Sequence, residues 1–260
     1  MTSPSSSNPP PPRGLWPSLA PYVVPPTAAC AAIVPAFYDM IAKSAMQKGL
    51  PAPIMNFKTV LQGLKGGFGA APTVGVMVGT QMVLQVRVEQ ALVKTFPNLF
   101  AENSNKAKAS LMLASSALVG VLSSPFLAVY NGKTMMPPWS VSESLSKFSL
   151  KQAGAITLQE TGFVAGLAAA DLVSVPMKQM LGDHKSVEYS AAGVAGALGS
   201  LVGHVGNTAL TRWQNGMTVD SLRQLSWGSL RKARGNALFA VVYKLGKEVL
   251  NSTVEGQKYY

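Results

Sequence analysis

Cysteine, histidine and acidic residues are scarce in this sequence, and each shortage excludes a kind of site. The 260 residues include one cysteine, Cys30, and two histidines, His184 and His204. A lone cysteine allows neither an internal disulfide framework nor a cysteine-based metal cluster. No nucleophile and base pair is recognisable, and the stretch GLKGGFG lacks the Lys-Ser/Thr ending of a phosphate-binding loop. We therefore predict that the protein is not an enzyme and holds no metal or cofactor.

Charged residues are also scarce, at 13% of the chain, whereas 48% of the residues are hydrophobic. Soluble proteins typically contain about 25% charged residues. Three long runs contain no charged residue, apart from one histidine, and each is long enough to cross a membrane as a helix. They are 66–86, 109–132 and 189–211. Weaker candidates, each interrupted by a few charges, are 27–47, 160–180 and 232–250.

Pairs of glycines four residues apart occur on three of these six candidate spans. Small residues at this spacing let helix backbones approach closely in a membrane, where lipid offers no hydrophobic drive for association. A buried core of a soluble protein is the alternative for such helices, but the membrane bundle is favoured. The pairs are Gly75 and Gly79, Gly162 and Gly166, and Gly199 and Gly203.

The net charge of +11 is distributed unevenly if the six spans are real. Twelve Lys and Arg residues but only two acidic residues follow the first, third and fifth spans, whereas six basic and four acidic residues follow the second and fourth. Basic loops on one side orient a membrane protein and attract anionic lipid headgroups. Nucleic-acid binding is disfavoured, because the basic residues are not interleaved with stacking aromatics.

Three stretches can be laid on one another: YDMIAKSAMQ from residue 38, PFLAVYNGKT from residue 125 and VGNTALTRWQ from residue 205. Their spacing of about 80 to 87 residues indicates an array of three units. In each unit a long span ends in the shared stretch, and a basic loop with a short amphipathic segment then leads into a second span. The short segments are 56–64, 142–150 and 218–225.

This arrangement resembles the mitochondrial carrier family over residues 27–250, and GLKGGFGAAPTVGVMVGTQ resembles the family's run from short helix into even-numbered helix. The resemblance implies an all-α membrane protein, a bundle of six transmembrane helices in three pseudo-repeats with short matrix-side helices. The implied units are a Pro-rich tail (1–26), repeats at 27–105, 106–186 and 187–251, and a C-terminal tail (252–260). The N-terminal tail resembles no cleavable presequence, and we expect it to be extended and polyproline-like.

In the family, a Pro, an acid and bases end each odd-numbered helix and form a salt-bridged gate. Here no repeat keeps both the acid and the base. The odd-helix gate positions are Tyr38, Met40, Lys43 and Gln47 in the first repeat, Pro125, Leu127 and Tyr130 in the second, and Asn207, Leu210, Arg212 and Gln214 in the third.

The even-numbered helices have likewise lost the family's acid. Their gate positions are Gln81 in the first repeat, Val175 and Lys178 in the second, and Tyr243, Lys244 and Lys247 in the third. We expect Lys43, Lys178, Arg212 and Lys247 to lack family-type partners. Either selection for alternating access has lapsed, which we favour, or polar residues such as Gln47, Tyr130, Asn207 and Gln214 close the gates by neutral hydrogen bonds.

The family's substrate-contact positions align with Gly69, Gly162, Phe163 and Lys232, of which only Lys232 is charged. With Arg231 and Arg234, Lys232 could hold an anion; the favoured alternative is that all three meet lipid headgroups. Asp39 and Asp171 are expected to face the bundle interior, a partner or the membrane edge, because a carboxylate facing lipid is costly.

The resemblance and the lost charges together predict a multi-pass protein of the mitochondrial inner membrane that has lost transport. We expect it to be a structural accessory subunit of a respiratory-chain or ATP synthase complex. Its expected partners are other subunits and inner-membrane lipids such as cardiolipin. The alternative is an active carrier that exchanges a small organic anion across the inner membrane.

Overall fold

A computed structural model describes residues 16–100, 104–133 and 140–256, and every regular element in those ranges is a helix. Six long helical segments follow one another along the chain, two of them broken once. The helices are α1 (Trp16–Gln47), α2 (Phe57–Thr95), α3 (Pro97–Phe100), α4 (Asn105–Lys133), α5 (Val141–Ser146), α6 (Leu150–Ala168), α7 (Ala170–Leu181), α8 (Lys185–Val202), α9 (His204–Gln214), α10 (Leu222–Leu225) and α11 (Ser229–Gly256).

Three of these helices are long and apolar enough to cross a membrane: α1 over Leu19–Gln47, α2 over Phe57–Thr95, and α4 over Lys106–Val129. The pair α6 and α7, bent by 45°, is a fourth if it is counted as one span. The chain is therefore an all-α, multi-pass membrane protein. The two remaining predicted spans, in α8–α9 and α11, are not both long and apolar enough to cross a membrane within the described residues.

The predicted strengths of two spans are reversed in the structure. The run 27–47, predicted as weak, belongs to one continuous helix of 32 residues. The run 189–211, predicted as strong, is broken between α8 and α9 at Gly203. A side chain at Gly203 would lie 2.6 Å from the carbonyl oxygen of Gln159, so the break lies where α8 and α9 press closely on α6.

Part of the predicted extended tail is helical. Residues 1–15 lie outside the described residues, but 16–26 form the first turns of α1 despite Pro21, Pro25 and Pro26. Tertiary contacts outweigh the helix-breaking tendency of proline here. Val24 is buried, and Pro26 packs against Gly75 and Gly79 of α2.

The long helices form a closed ring in which each packs on the next along the chain, and α11 returns to pack on α1. Glycine pairs mediate the closest approach: a Cβ on Gly162 would lie 2.4 Å from the carbonyl oxygen of Gly199, and Gly166 also abuts Gly199. The packing of α2 on α4 is the least extensive in the ring. We call the end at which α1, α4 and α9 end the basic end, and the other the opposite end.

Candidate functional site

A cavity of about 190 Å³ lies inside the ring, with walls from α1, α2, α6, α9 and α11. Its apolar lining includes Met77 and the rings of Phe163 and Phe239, which lie 5.7 Å apart between centroids. The polar lining consists of Lys43, Gln159, Glu160, Asn207, Lys232 and Asn236.

The charges in this cavity are unevenly satisfied. Glu160 is 2% exposed and accepts hydrogen bonds from the amide nitrogens of Gln81, at 2.6 Å, and Gln159, at 2.8 Å. The Lys232 ammonium is buried and has no hydrogen-bond partner among the described residues. No ion pair within 4.0 Å joins Glu160 to Lys43 or Lys232. Two lysines and one glutamate thus share the cavity.

Neutral amides close the cavity toward the basic end. Asn207 Oδ1 accepts from Lys43 Nζ at 2.8 Å and from Gln47 Nε2 at 2.9 Å, while its own amide nitrogen donates to Gln159 at 2.5 Å. Gln47 is fully buried and also donates to Thr208 at 2.8 Å. These contacts join α1, α6 and α9 in one network.

Arg212 extends the same closure. Its Nε donates to the Thr218 carbonyl oxygen at 2.8 Å and its Nη1 to the Gln47 carbonyl oxygen at 3.3 Å. The guanidinium also lies 5.9 Å from the centroid of the Trp227 ring, a favourable cation–π arrangement. Lys43 and Arg212 therefore have partners, although none of them is an acid.

Apolar packing joins the second repeat to this end. Leu127 of α4 and Leu210 of α9 belong to one buried cluster with Ala128, Ala155 and Ile156. Pro125 lies inside α4.

The other predicted positions at the basic end are distributed as follows. Met40 lines the cavity, the hydroxyl of Tyr38 donates to the Pro53 carbonyl at 2.8 Å, and Gln214 is buried. The side chain of Tyr130 lies outside the described residues.

Ion pairs hold the opposite end. Lys178 Nζ lies 2.7 Å from Asp183 and 2.5 Å from Glu188, and Lys244 Nζ lies 4.0 Å from Glu188 and 3.5 Å from Asp171. The hydrogen bond from Lys178 lowers the pKa of Asp183 and that of Glu188. Glu188 belongs to the start of α8, so the acid that joins α7 to α11 comes from outside the even-helix motif.

The remaining even-helix positions do not meet in a ring. Gln81 turns inward to Glu160, Val175 is 58% exposed, and Tyr243 stacks on Phe239 at 5.9 Å. Lys247 lies 5.6 Å from the centre of the Tyr243 ring.

Two of the four predicted substrate-contact positions line the cavity, and two do not. Phe163 and Lys232 do so. Gly69 is exposed, with no neighbouring atom within 4 Å of a Cβ built there, and Gly162 is covered by the backbone of Gly199. Neither glycine lines the cavity, because Gly69 faces outward and close packing of α6 on α8 covers Gly162.

Gln159 and Glu160 also line the cavity, although neither was predicted as a site residue. An acid within a predicted span was the available signal, since intramembrane acids usually face the interior of a bundle.

The predicted cluster of three bases on α11 is divided between two faces. Arg234 makes a bidentate contact with Asp39, at 2.6 and 2.7 Å, and Arg231 lies 3.6 Å from the same carboxylate. Asp39 is 3% exposed and faces α11, as expected for an acid within a span. Of these three bases, only Lys232 lines the cavity.

No group of three or more His, Cys, Asp or Glu side chains in the described ranges could hold a metal ion. No protein-family model matches the chain, and no curated protein is similar enough in sequence to give it a family.

Proposed function

We propose that this protein is a carrier-like integral protein of the mitochondrial inner membrane that binds a small organic anion in its central cavity and exchanges it across the membrane. The observation that carries the proposal is the buried ammonium of Lys232, which lines the cavity without a hydrogen-bond partner. This geometry favours an active carrier of a small organic anion over a purely structural role.

Electrostatics support an anionic ligand. A buried ammonium is costly unless a partner compensates it, and charged residues inside membrane bundles usually mark ligand or ion pathways. The carboxylate of Glu160 is engaged by two amides, and Lys43 adds a second cation. A monoanion near Lys232 would neutralise the excess positive charge and give the ammonium a hydrogen-bond acceptor.

The cavity volume limits the size of the anion. At about 190 Å³ the cavity is smaller than the roughly 300–1,000 Å³ of sites that hold drug-sized ligands. A carboxylate or phosphate with few non-hydrogen atoms fits this volume. The Asn236 amide and the Phe163 and Phe239 rings on the walls offer it one polar and two apolar contacts.

The two ends of the bundle support alternating access. Hydrogen bonds to the Asn207 amide oxygen, from Lys43 and Gln47, and apolar packing close the basic end. At the opposite end, ion pairs join α7, α8 and α11, whereas Gln81 of α2 instead turns inward. Exchange requires that each closure can open. The opposite end is the less completely closed, because the ion pairs there do not include α2.

Reconstituted protein tests the proposal. The purified chain in liposomes is assayed for uptake of labelled phosphate, pyruvate and malonate against the same internal anion. We expect uptake of at least one of the three anions, and its loss in Lys232→Met, which removes the charge but keeps most of the side-chain volume. Lys151→Met, at an exposed position of α6, is the matched control and should retain uptake.

Stability gives an independent readout of the same variant. Lys232→Met removes a buried group without a partner, so its thermal unfolding midpoint should rise while binding is lost. An unstabilised variant that still transports would overturn the assignment of Lys232. Absence of exchange and of anion-induced stabilisation with all three anions would overturn the transport function.

The second candidate is a structural accessory subunit of a respiratory-chain or ATP synthase complex that has lost transport. The observation that favours it is the dispersal of the even-helix gate positions, with Val175 exposed and Gln81 bound to Glu160. Native electrophoresis after gentle detergent extraction tests this candidate. Comigration with a large complex supports it, and migration only as a free monomer contradicts it.

A further inference from the structure

We propose that the groove between α2 and α4 binds a compact, membrane-soluble molecule that is largely apolar and carries one hydroxyl group, such as an alkylphenol or an isoprenoid alcohol. The groove has a volume of about 600 Å³ and is lined mainly by apolar side chains. It lies outside the central cavity and is distinct from the anion site proposed above.

The groove lies within the apolar parts of two candidate spans, so its surroundings are hydrocarbon. Val76 and Phe126, which line it, are 69% and 78% exposed. On α2 the lining extends from Pro72 to Leu84, about 18 Å along a helix axis. This length is a little over half of the roughly 30 Å hydrocarbon core, so the groove suits a compact molecule.

The polar component of the proposed ligand follows from Gln81. This residue is 1% exposed and lines the groove. Its amide nitrogen donates inward to Glu160 at 2.6 Å, while its amide oxygen is buried and has no partner among the described residues. A buried acceptor without a donor is destabilising, and a hydroxyl group in the groove would satisfy it.

Charge narrows the ligand class further. Among the described residues no charged side chain lines the groove, and the unsatisfied Gln81 oxygen is a neutral acceptor. An ionised carboxylate or phosphate therefore finds neither a cation nor a donor at Gln81. A neutral O–H donor on an apolar body fits both the lining and the acceptor.

The groove also has a route of influence on the central cavity. Met77 lines both spaces, and Gln81 connects the groove to Glu160 through its second amide branch. A ligand that restrains the Gln81 amide would also restrain the Glu160 carboxylate near Lys232.

Photolabelling of the full chain in lipid nanodiscs tests the proposal. The probe is an alkylphenol bearing a diazirine, and labelled residues are identified by mass spectrometry. We expect labelling concentrated on Val76, Met77 and Phe126, with competition by the unlabelled phenol about tenfold stronger than by its methyl ether, which cannot donate a hydrogen bond.

Two variants and one ligand comparison decide the result. Val76→Phe fills the groove without touching Gln81 and should reduce labelling at least fivefold. Val121→Phe, on the exposed surface of α4 and away from the groove lining, should leave it unchanged. Equal labelling of Val121 and Leu198 would show unselective partition into lipid, and equal competition by the phenol and its ether would remove Gln81 from recognition; either overturns the proposal. The readout does not depend on anion transport.

Discussion

The two ends of the bundle are closed by opposite kinds of interaction. At the basic end, buried amides of Gln47 and Asn207 connect α1 to α9, and apolar side chains connect α4 to α9. At the opposite end, Lys178, Glu188 and Lys244 connect α7, α8 and α11 by ion pairs that are partly exposed. Water and salt compete with exposed ion pairs far more than with buried hydrogen bonds.

The basic end is therefore stabilised by directional hydrogen bonds and close apolar packing, and the opposite end by attraction between charges. A buried amide network loses much when one member is removed, because the others remain buried without partners. Removing one partner of a solvent-accessible ion pair costs little stability, because water solvates the charge that remains. The opposite end is therefore the one that conditions such as pH and salt can loosen.

Substitution at Asn207 should have the largest effect. Asn207→Leu deprives Lys43, Gln47 and Gln159 of their shared partner, and we expect a loss of about 3 kcal/mol in unfolding free energy. The thermal midpoint in detergent should fall by roughly 10 °C for a chain of this size. Asn251→Leu, at an exposed site near the end of α11, is the control. A midpoint within a degree of the parent would show that the network does not hold the basic end.

Loss of Arg234 should have an intermediate effect. Arg234→Met leaves the buried carboxylate of Asp39 with only the longer contact to Arg231, at 3.6 Å. We expect a loss of about 2 kcal/mol, below the 3–5 kcal/mol typical of a fully buried pair, because the Arg234 side chain is half exposed. Arg231→Met should cost less. If the two variants are equally destabilised in chemical unfolding, the bidentate contact is not the dominant one.

Acid should loosen the opposite end and spare the basic end. The folded-state pKa values of Asp183 and Glu188 are lowered by Lys178, so their contribution to stability is complete above the unfolded pKa values of about 4 and is lost as the pH falls through the folded values. Hydrogen exchange at pH 7 and pH 3, corrected for intrinsic rates, should show lost protection in α7 and the first turn of α8. Protection around Gln47 and Asn207 should persist, because neither residue hydrogen-bonds directly to a carboxylate among the described residues.

A charge variant separates this effect from general acid unfolding. In Lys178→Met the two carboxylates lack their strongest partner, so the pH-dependent loss in α7 should shrink while the basic end is unchanged. Equal loss of protection at both ends in the parent protein would contradict the comparison.

The order of the helices was predictable because hydrophobic runs and repeated stretches are local properties. A helix starts at or near each of the three short amphipathic segments, and a polar side chain caps each start. Asn56 caps α2, Ser140 caps α5 and Ser221 caps α10. The break at Gly203 was not predictable, because it depends on the approach of Gln159 from a different helix.

The cavity was predictable only in part. The resemblance to carriers aligned Lys232 with a substrate-contact position but grouped it with Arg231 and Arg234. Successive residues of a helix are rotated by about 100° about its axis, so the three side chains cannot all face the same way. What separates the three bases is Asp39, 195 residues before Arg234. The packing of α1 on α11 is not evident from the sequence. It therefore could not be predicted that Lys232 faces the cavity while Arg231 and Arg234 pair with Asp39.

The contact between the first and last long helices has a consequence for biosynthesis. Asp39 lies within the candidate span α1, whereas the two arginines that neutralise it lie in α11, the last long helix of the chain. Until α11 packs on α1, the Asp39 carboxylate lacks both arginines and has to stay near the membrane surface or be shielded by another protein. A chain that stops before α11 therefore carries an acid in its first span without the two arginines that neutralise it.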